Sequence, residues 1–85
     1  MPEVVVYTTR TCPFCTRAIK LLNEKGVGYT EIRVDGKPEL RFEMEQKAQR
    51  NTVPQIFIDG FHVGGCDDMY ELEDEGILDG LLGLV

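Results

Sequence analysis

The feature that most constrains this sequence is a pair of cysteines, Cys12 and Cys15, that closely follows a short β-branched run. Residues 3–8 contain three consecutive valines and are too few for a stable helix, which predicts a buried β-strand. Pro13 stands between the cysteines, and proline is favoured at the first position of a helix. We therefore expect a helix over residues 13–25, with Cys12 at its N-cap and Cys15 in its first turn.

Apolar side chains recur at helical spacing in two segments of the chain. In the first helix they form one face of four residues: Cys15, Ala18, Ile19 and Leu22. A second helix is predicted over residues 39–50, where Leu40, Met44 and Ala48 lie along one stripe. Between the two helices, residues 29–34 alternate as a half-exposed strand would.

The second half of the chain predicts a β-hairpin followed by helical segments. Residues 54–58 and 61–63 read as strands, and the Asp-Gly pair at 59–60 is a two-residue turn that favours an antiparallel hairpin. A third helix is expected over residues 66–72. The apolar tail at 77–82 is expected to form a short helix that packs on the core.

These elements follow the order β-α-β-α-β-β-α and predict one α/β domain over residues 1–85. A helix between the first two strands implies a right-handed crossover and a parallel strand pair. The expected fold is a three-layer sandwich, in which a mixed four-stranded sheet carries helices on both faces. A chain of this length suits a single domain with a thin core.

Charge and cysteine content narrow the partners and the compartment. The net charge of −6 disfavours binding to nucleic acid and to anionic membranes, and we expect neither as a partner. No apolar run reaches the roughly 18–20 residues that a membrane span needs, and the N-terminal residues lack the basic region of a signal peptide. Three cysteines do not form a disulfide framework, so we expect a reducing compartment, the cytoplasm. A monomer is the default expectation.

A Cys-x-x-Cys pair can serve a zinc site, a metal cluster or redox chemistry. Zinc requires about four ligands, and the remaining candidates, Cys66 and His62, lack metal-ligand spacing, so no metal is expected. At a helix start, Cys12 would face unpaired backbone N–H groups, which stabilise a thiolate and lower its pKa to between about 3.5 and 7.5 in pairs of this type. We therefore expect Cys12 to attack disulfides and Cys15 to resolve the mixed disulfide. A pair of this kind after a strand indicates a thioredoxin-like redox motif.

Three separated motifs resemble the dithiol glutaredoxins, in particular the small bacterial members of this thioredoxin-like family. They are Thr-Cys-Pro-Phe-Cys at 11–15, Thr-Val-Pro-Gln-Ile-Phe-Ile at 52–58 and Gly-Gly-Cys-Asp-Asp at 64–68. The three motifs occur in the family's order and at its spacing, and the resemblance covers almost the whole chain. It implies a glutathione site formed by nine residues: Phe14, Arg50, Thr52, Val53, Pro54, Gly65, Cys66, Asp67 and Asp68.

The resemblance also implies roles for several of these residues. A cis peptide bond before Pro54 would let the Val53 backbone pair with the cysteinyl unit of glutathione. The backbone N–H groups at 65–67 would hold the γ-glutamyl carboxylate at a helix start. Asp67 and Asp68 would accept from its ammonium group, or they would only cap the third helix. Arg50 would pair with the glycyl carboxylate, or it would be a solvated surface residue.

The sequence departs from the family's pattern beside the cysteine pair. The family usually has a lysine three residues before the nucleophile, where this chain has Thr9, followed by Arg10. Phe14 replaces a frequent tyrosine and would line the groove without a hydroxyl. Cys66 either regulates the protein, forms an intermolecular disulfide, or is a small residue suited to close packing. His62 is interpreted as a strand residue near the surface.

The implied function is that of a glutathione-dependent thiol–disulfide oxidoreductase. It would reduce glutathione mixed disulfides and protein disulfides, with glutathione as co-substrate and no tightly bound cofactor. The expected partners are glutathione and proteins that are glutathionylated or contain disulfides. One alternative is an electron donor recycled by thioredoxin reductase. Another is an iron–sulfur cluster carrier with Cys12 and glutathione as ligands, although Pro13 and Cys15 disfavour it.

Overall fold

The computed structural model describes residues 2–85. Its eight secondary-structure elements are β1 (Val4–Thr8), α1 (Pro13–Glu24), β2 (Thr30–Arg33), α2 (Pro38–Ala48), β3 (Gln55–Ile58), β4 (Phe61–Gly64), α3 (Cys66–Asp74) and α4 (Leu78–Leu81). The first seven follow the expected order, and α4 lies within the apolar tail that was expected to be helical. None of these helices is long and apolar enough to cross a membrane.

The four strands form one mixed sheet in the order β2-β1-β3-β4. β1 and β2 are parallel, as the intervening helix α1 requires, and β1 and β3 are antiparallel. β3 and β4 form the antiparallel hairpin predicted from its Asp-Gly turn. The predicted mixed sheet is therefore confirmed.

Successive residues of the central strands point to opposite faces of the sheet, and each face carries helices. Val4 and Val6 belong to a core cluster shared with α1, α3 and α4. Tyr7 and Phe57 belong to a second cluster on the other face, which contains Met44 and other residues of α2. This arrangement confirms the expected three layers.

Two details of the helices differ from the predictions. α1 buries Leu21, while Ile19, expected on the apolar face, is only half-buried, because the buried face of the helix is displaced by a fraction of a turn. α2 ends at Ala48 and does not reach Arg50, because Gln49 adopts a left-handed conformation with φ 57°. The predicted stripe of α2 is confirmed, and nothing in the structure explains the exposed Phe42 opposite it.

One lysine joins the ends of three helices. The ammonium group of Lys25, just after α1, lies 2.8 Å from a carboxylate oxygen of Glu73 in α3 and 2.6 Å from one of Asp79 in α4. The hydrogen bonds to Asp79 and Glu73 raise the pKa of Lys25. This contact fixes the C-terminal helices against α1 on one face of the sheet.

Candidate active site

The strand directions bring three distant segments to one edge of the sheet. Tyr7, near the end of β1, is opposite Gln55 at the start of the antiparallel β3. Gly64, at the end of β4, is opposite Ile56 at that same end of β3. The loop after β1, the loop before β3 and the start of α3 therefore meet, and these segments contain the three motifs.

Cys12 is the N-cap of α1, as predicted. Its Sγ accepts a hydrogen bond from the backbone N–H of Cys15 at 3.1 Å and lies 3.8 Å from the carbonyl oxygen of Val53. Its side chain is partly exposed, so that a disulfide from solution can approach the sulfur. An N–H donor at a helix start is complementary to negative charge on the sulfur.

Cys15 differs from Cys12 in burial and in protonation. It is 3 % exposed and lies in the first turn of α1. Burial, together with a hydrogen bond to Cys12, raises the pKa of Cys15 to about 12, although a backbone hydrogen bond from Thr9 lowers it. Cys15 is therefore a protonated thiol at neutral pH, three residues after the accessible thiol of Cys12.

The segment before β3 forms one wall of a cleft beside Cys12. The Val53–Pro54 peptide bond is cis, as the resemblance implied. Val53 is half-buried and Pro54 is buried, while Thr52 is exposed at the rim. Phe14, 51 % exposed, also lines the cleft.

The start of α3 forms the other wall. Asp68 Oδ2 accepts the backbone N–H of Gly65 at 2.8 Å, so Asp68 caps the helix, which is one of the two roles considered for it. The same oxygen lies 2.8 Å from the guanidinium of Arg50. Hydrogen bonds from Arg50 and Gly65 lower the pKa of Asp68. Arg50 is therefore ion-paired in this structure, a partner that was not considered among its two expected roles.

The position immediately before this wall, Gly64, can be occupied only by glycine without strain. Its φ is +113°, a conformation that L side chains rarely adopt, and a Cβ there would clash with the carboxylate of Asp68. A glycine at this position therefore permits the approach of Asp68 to the Gly65 N–H. The cap and the shape of the cleft depend on the same close contact.

Cys66 lies at the first position of α3 and is 3 % exposed. It belongs to the core cluster shared with α1, α3 and α4. Burial raises the pKa of its thiol, although the charge of Arg17 opposes the shift. This burial agrees with the interpretation of Cys66 as a small residue in a closely packed position.

All nine residues that the resemblance implies lie around one cleft of about 200 Å³. The structure thus brings together every predicted residue of the binding site, and their contacts with a ligand remain predictions. Sequence reasoning did not single out Gln55, a fully buried residue whose amide contacts Thr52 at the rim. Over residues 2–85 no group of three or more histidine, cysteine or carboxylate side chains is arranged to hold a metal ion.

Known proteins with similar sequences cover almost the whole chain. A family model described as Glutaredoxin matches residues 4–63. A glutaredoxin from Pseudomonas aeruginosa is 60% identical over 82 residues, which cover 96% of this chain and 98% of that protein. Glutaredoxin 3 from Escherichia coli is 52% identical over 82 residues, with 96% and 99% of the two chains covered.

Solved structures give the same result for the fold. The crystal structure of a buckwheat glutaredoxin–glutathione complex superposes with a TM-score of 0.89 and 32% sequence identity. The superposition covers 96% of this chain and 77% of the buckwheat chain. The fold described above is therefore thioredoxin-like, as the resemblance implied.

Proposed function

The chain belongs to the glutaredoxin family, and on that premise we propose that it is a glutathione-dependent thiol–disulfide oxidoreductase. Its substrates are glutathione mixed disulfides and protein disulfides, and glutathione is the co-substrate. One observation carries the proposal. The accessible sulfur of Cys12 lies at the edge of a cleft, and the thiol of Cys15 is buried three residues behind it.

Reduction of a glutathione mixed disulfide needs only Cys12. The Cys12 thiolate attacks the glutathione sulfur, so that a Cys12–glutathione disulfide forms and the substrate leaves as a thiolate that takes up a proton. A second glutathione thiolate then attacks the bound glutathione sulfur. Oxidised glutathione leaves, and the Cys12 thiolate is regenerated.

Reduction of a protein disulfide uses both cysteines. Cys12 attacks one sulfur of the substrate and forms a mixed disulfide with it. Cys15 then loses its proton and attacks Cys12, which releases the reduced substrate and leaves a Cys12–Cys15 disulfide. Two glutathione molecules reduce this disulfide and leave as oxidised glutathione. The high pKa of Cys15 favours Cys12 as the first nucleophile, since Cys15 is protonated at neutral pH in the reduced protein.

The two walls of the cleft suit the groups of glutathione. Backbone N–H groups at the start of α3 can bind the γ-glutamyl carboxylate, because the first N–H groups of a helix have no intrahelical partner. Asp67, exposed beside them, can accept from the ligand's ammonium group. The backbone of Val53 faces Cys12 and can pair with the cysteinyl unit. The buckwheat relative was crystallised as a complex with glutathione, which supports the same ligand here.

The proposal is tested with a glutathione mixed disulfide, glutathione, glutathione reductase and NADPH. We expect turnover with the wild type, most of that activity with Cys15→Ser and none with Cys12→Ser. With a protein disulfide as substrate, both variants should lose most activity. Activity in Cys12→Ser together with its loss in Cys15→Ser would reverse the roles of the two cysteines.

The same assay separates the alternative functions. If the protein turns over with thioredoxin reductase but not with glutathione, it is an electron donor recycled by thioredoxin reductase. A stable visible absorption band after anaerobic reconstitution with iron and sulfide would support a cluster carrier. The proposal assigns the protein to the cytoplasm, since its three free cysteines suit a compartment that keeps glutathione reduced.

A further inference from the structure

Gln55 is a polar side chain with no exposure to solvent, one residue beyond the cis proline. Its Nε2 donates to the carbonyl oxygen of Thr52 at 3.0 Å and to the hydroxyl of Thr52 at 3.2 Å. Its Oε1 lies 2.7 Å from Nε2 of His62 on β4. A chain of hydrogen bonds therefore links the edge strand of the sheet to the rim of the cleft.

The contact with Thr52 fixes the direction of this chain. A backbone carbonyl can only accept, so the Gln55 amide nitrogen must face Thr52 and its oxygen must face His62. His62 must then donate through Nε2–H. The amide nitrogen and the amide oxygen of Gln55 both have partners, and turning the amide over would place its nitrogen against His62 and its oxygen against the carbonyl of Thr52, leaving buried groups unpaired.

His62 is itself held in place. Its ring packs on Phe57, with 4.9 Å between the ring centroids, on the face of the sheet that carries α2. Burial, and after it the charge of Arg50, lower the pKa of His62, so the ring is mainly neutral at neutral pH. The contact with Gln55 then selects the tautomer that carries its hydrogen on Nε2.

The segment held by this chain is the wall that faces Cys12. Thr52 precedes Val53, whose carbonyl oxygen lies 3.8 Å from Cys12 Sγ. We propose that Gln55 and His62 are positioning residues that fix the Thr52–Val53 wall and thereby set the affinity of the cleft for glutathione. This inference rests on the proposed function. Neither side chain is required to touch glutathione or the reacting sulfurs.

The test compares variants that remove or keep the donor. Gln55→Met keeps the length of the side chain without its hydrogen bonds, and His62→Phe keeps an aromatic ring on Phe57 without the Nε2–H. His62→Gln restores an N–H donor at similar reach. Gln49→Met is the matched control, because it removes a glutamine bond to a backbone carbonyl (that of Gln46, at 2.8 Å) outside the cleft.

Two quantities are measured for each variant. The first is the Kd of S-methylglutathione, which cannot form a disulfide, by NMR titration. The second is the pair of constants kcat and KM for the mixed disulfide of glutathione and 2-mercaptoethanol. For Gln55→Met and His62→Phe we expect Kd and KM to rise about three- to tenfold, the worth of one net hydrogen bond, with kcat within about twofold of the wild type. His62→Gln and Gln49→Met should stay near the wild type.

The measured Kd and KM values either support or overturn the positioning role of Gln55 and His62. Equal Kd values for the wild type, Gln55→Met and His62→Phe would overturn it, as would a loss confined to kcat. If Gln55→Met does not fold, His62→Phe is compared with His62→Gln. A glutathione affinity restored in His62→Gln supports the inference, and equal affinities of the two variants overturn it. A wild type that neither binds S-methylglutathione nor turns over the mixed disulfide overturns the proposed function instead.

Discussion

Reaction with iodoacetamide at pH 7 should distinguish the partly exposed Cys12 from the buried Cys15 and Cys66. Only thiolates react, and a pKa of about 12 leaves Cys15 ionised in about one molecule in 10⁵ at that pH. An ordinary cysteine with a pKa near 8.5 is about 3% ionised, so Cys15 should carry roughly 3,000 times less thiolate than an unperturbed thiol. Its 3 % exposure slows the reaction further. Cys66, equally buried and with a raised pKa, should also be protected.

The assay follows the alkylation of each cysteine over time in the reduced protein. Trypsin leaves Cys12 and Cys15 together in the peptide 11–17, so fragment ions must locate a single label between them. Cys66 lies in the separate peptide 51–85. We expect label at Cys12 long before the other two cysteines. In urea, where burial is lost, all three should react at comparable rates.

Dependence on pH gives a second measure of the same property. In Cys12→Ser, labelling of Cys15 should rise about tenfold per pH unit from 8 to 10 without levelling, because burial is the main cause of its raised pKa. The Cys12 contact is the second cause, so this variant should label somewhat faster than the wild type. Alkylation of native Cys15 within tenfold of the Cys12 rate, or a plateau near pH 8.5, would refute the reasoning.

Three further substitutions test the scaffold and the cleft. Lys25→Met should lower the free energy of unfolding by about 1 kcal/mol, which corresponds to a fall of roughly 4–8 °C in Tm. Because folding raises the pKa of Lys25, this loss of stability should be full below about pH 10 and should shrink above it. Gly64→Ala should lower the free energy of unfolding by about 2 kcal/mol or more in chemical denaturation, because of the positive φ at this position and the clash with Asp68. In the control Gly28→Ala the new Cβ meets no neighbour, so the free energy of unfolding should stay near that of the wild type. Asp67→Lys should raise the KM for glutathione more than it lowers the maximal rate, and an unchanged KM would remove Asp67 from the site.

The order of the elements could be predicted because their patterns are local. Three consecutive valines, the proline at the start of α1 and the Asp-Gly turn each act over a few residues, and the structure confirms all three. Helix ends were less predictable. α2 stops before Arg50 because Gln49 takes a left-handed conformation, and no glycine or proline marks that position in the sequence.

Contacts between distant polar side chains could not be predicted from the residues. Arg50 and Asp68 are 18 positions apart, and the long arginine side chain has many rotamers from which the fold selects one. The sequence suggested a cap or a ligand for Asp68 and a ligand or solvent for Arg50. The structure pairs them with each other, because the same strand directions bring the end of α2 and the start of α3 to one edge of the sheet.

The sequence around Gln55 contains a signal for its buried contacts. Gln55 stands in an otherwise apolar run, Pro-Gln-Ile-Phe-Ile, that was expected to be a strand, and β3 is buried along its whole length. A buried amide must find donors and acceptors, because an unpaired one costs about 1–3 kcal/mol. Strand pairing leaves few candidates within reach. Thr52 lies three residues before Gln55 at the mouth of the strand, and His62 faces Phe57 across the hairpin on the same face of the sheet. A polar residue within a strand that must be buried therefore predicts a fixed hydrogen-bond chain, and here that chain ends at the wall that faces Cys12.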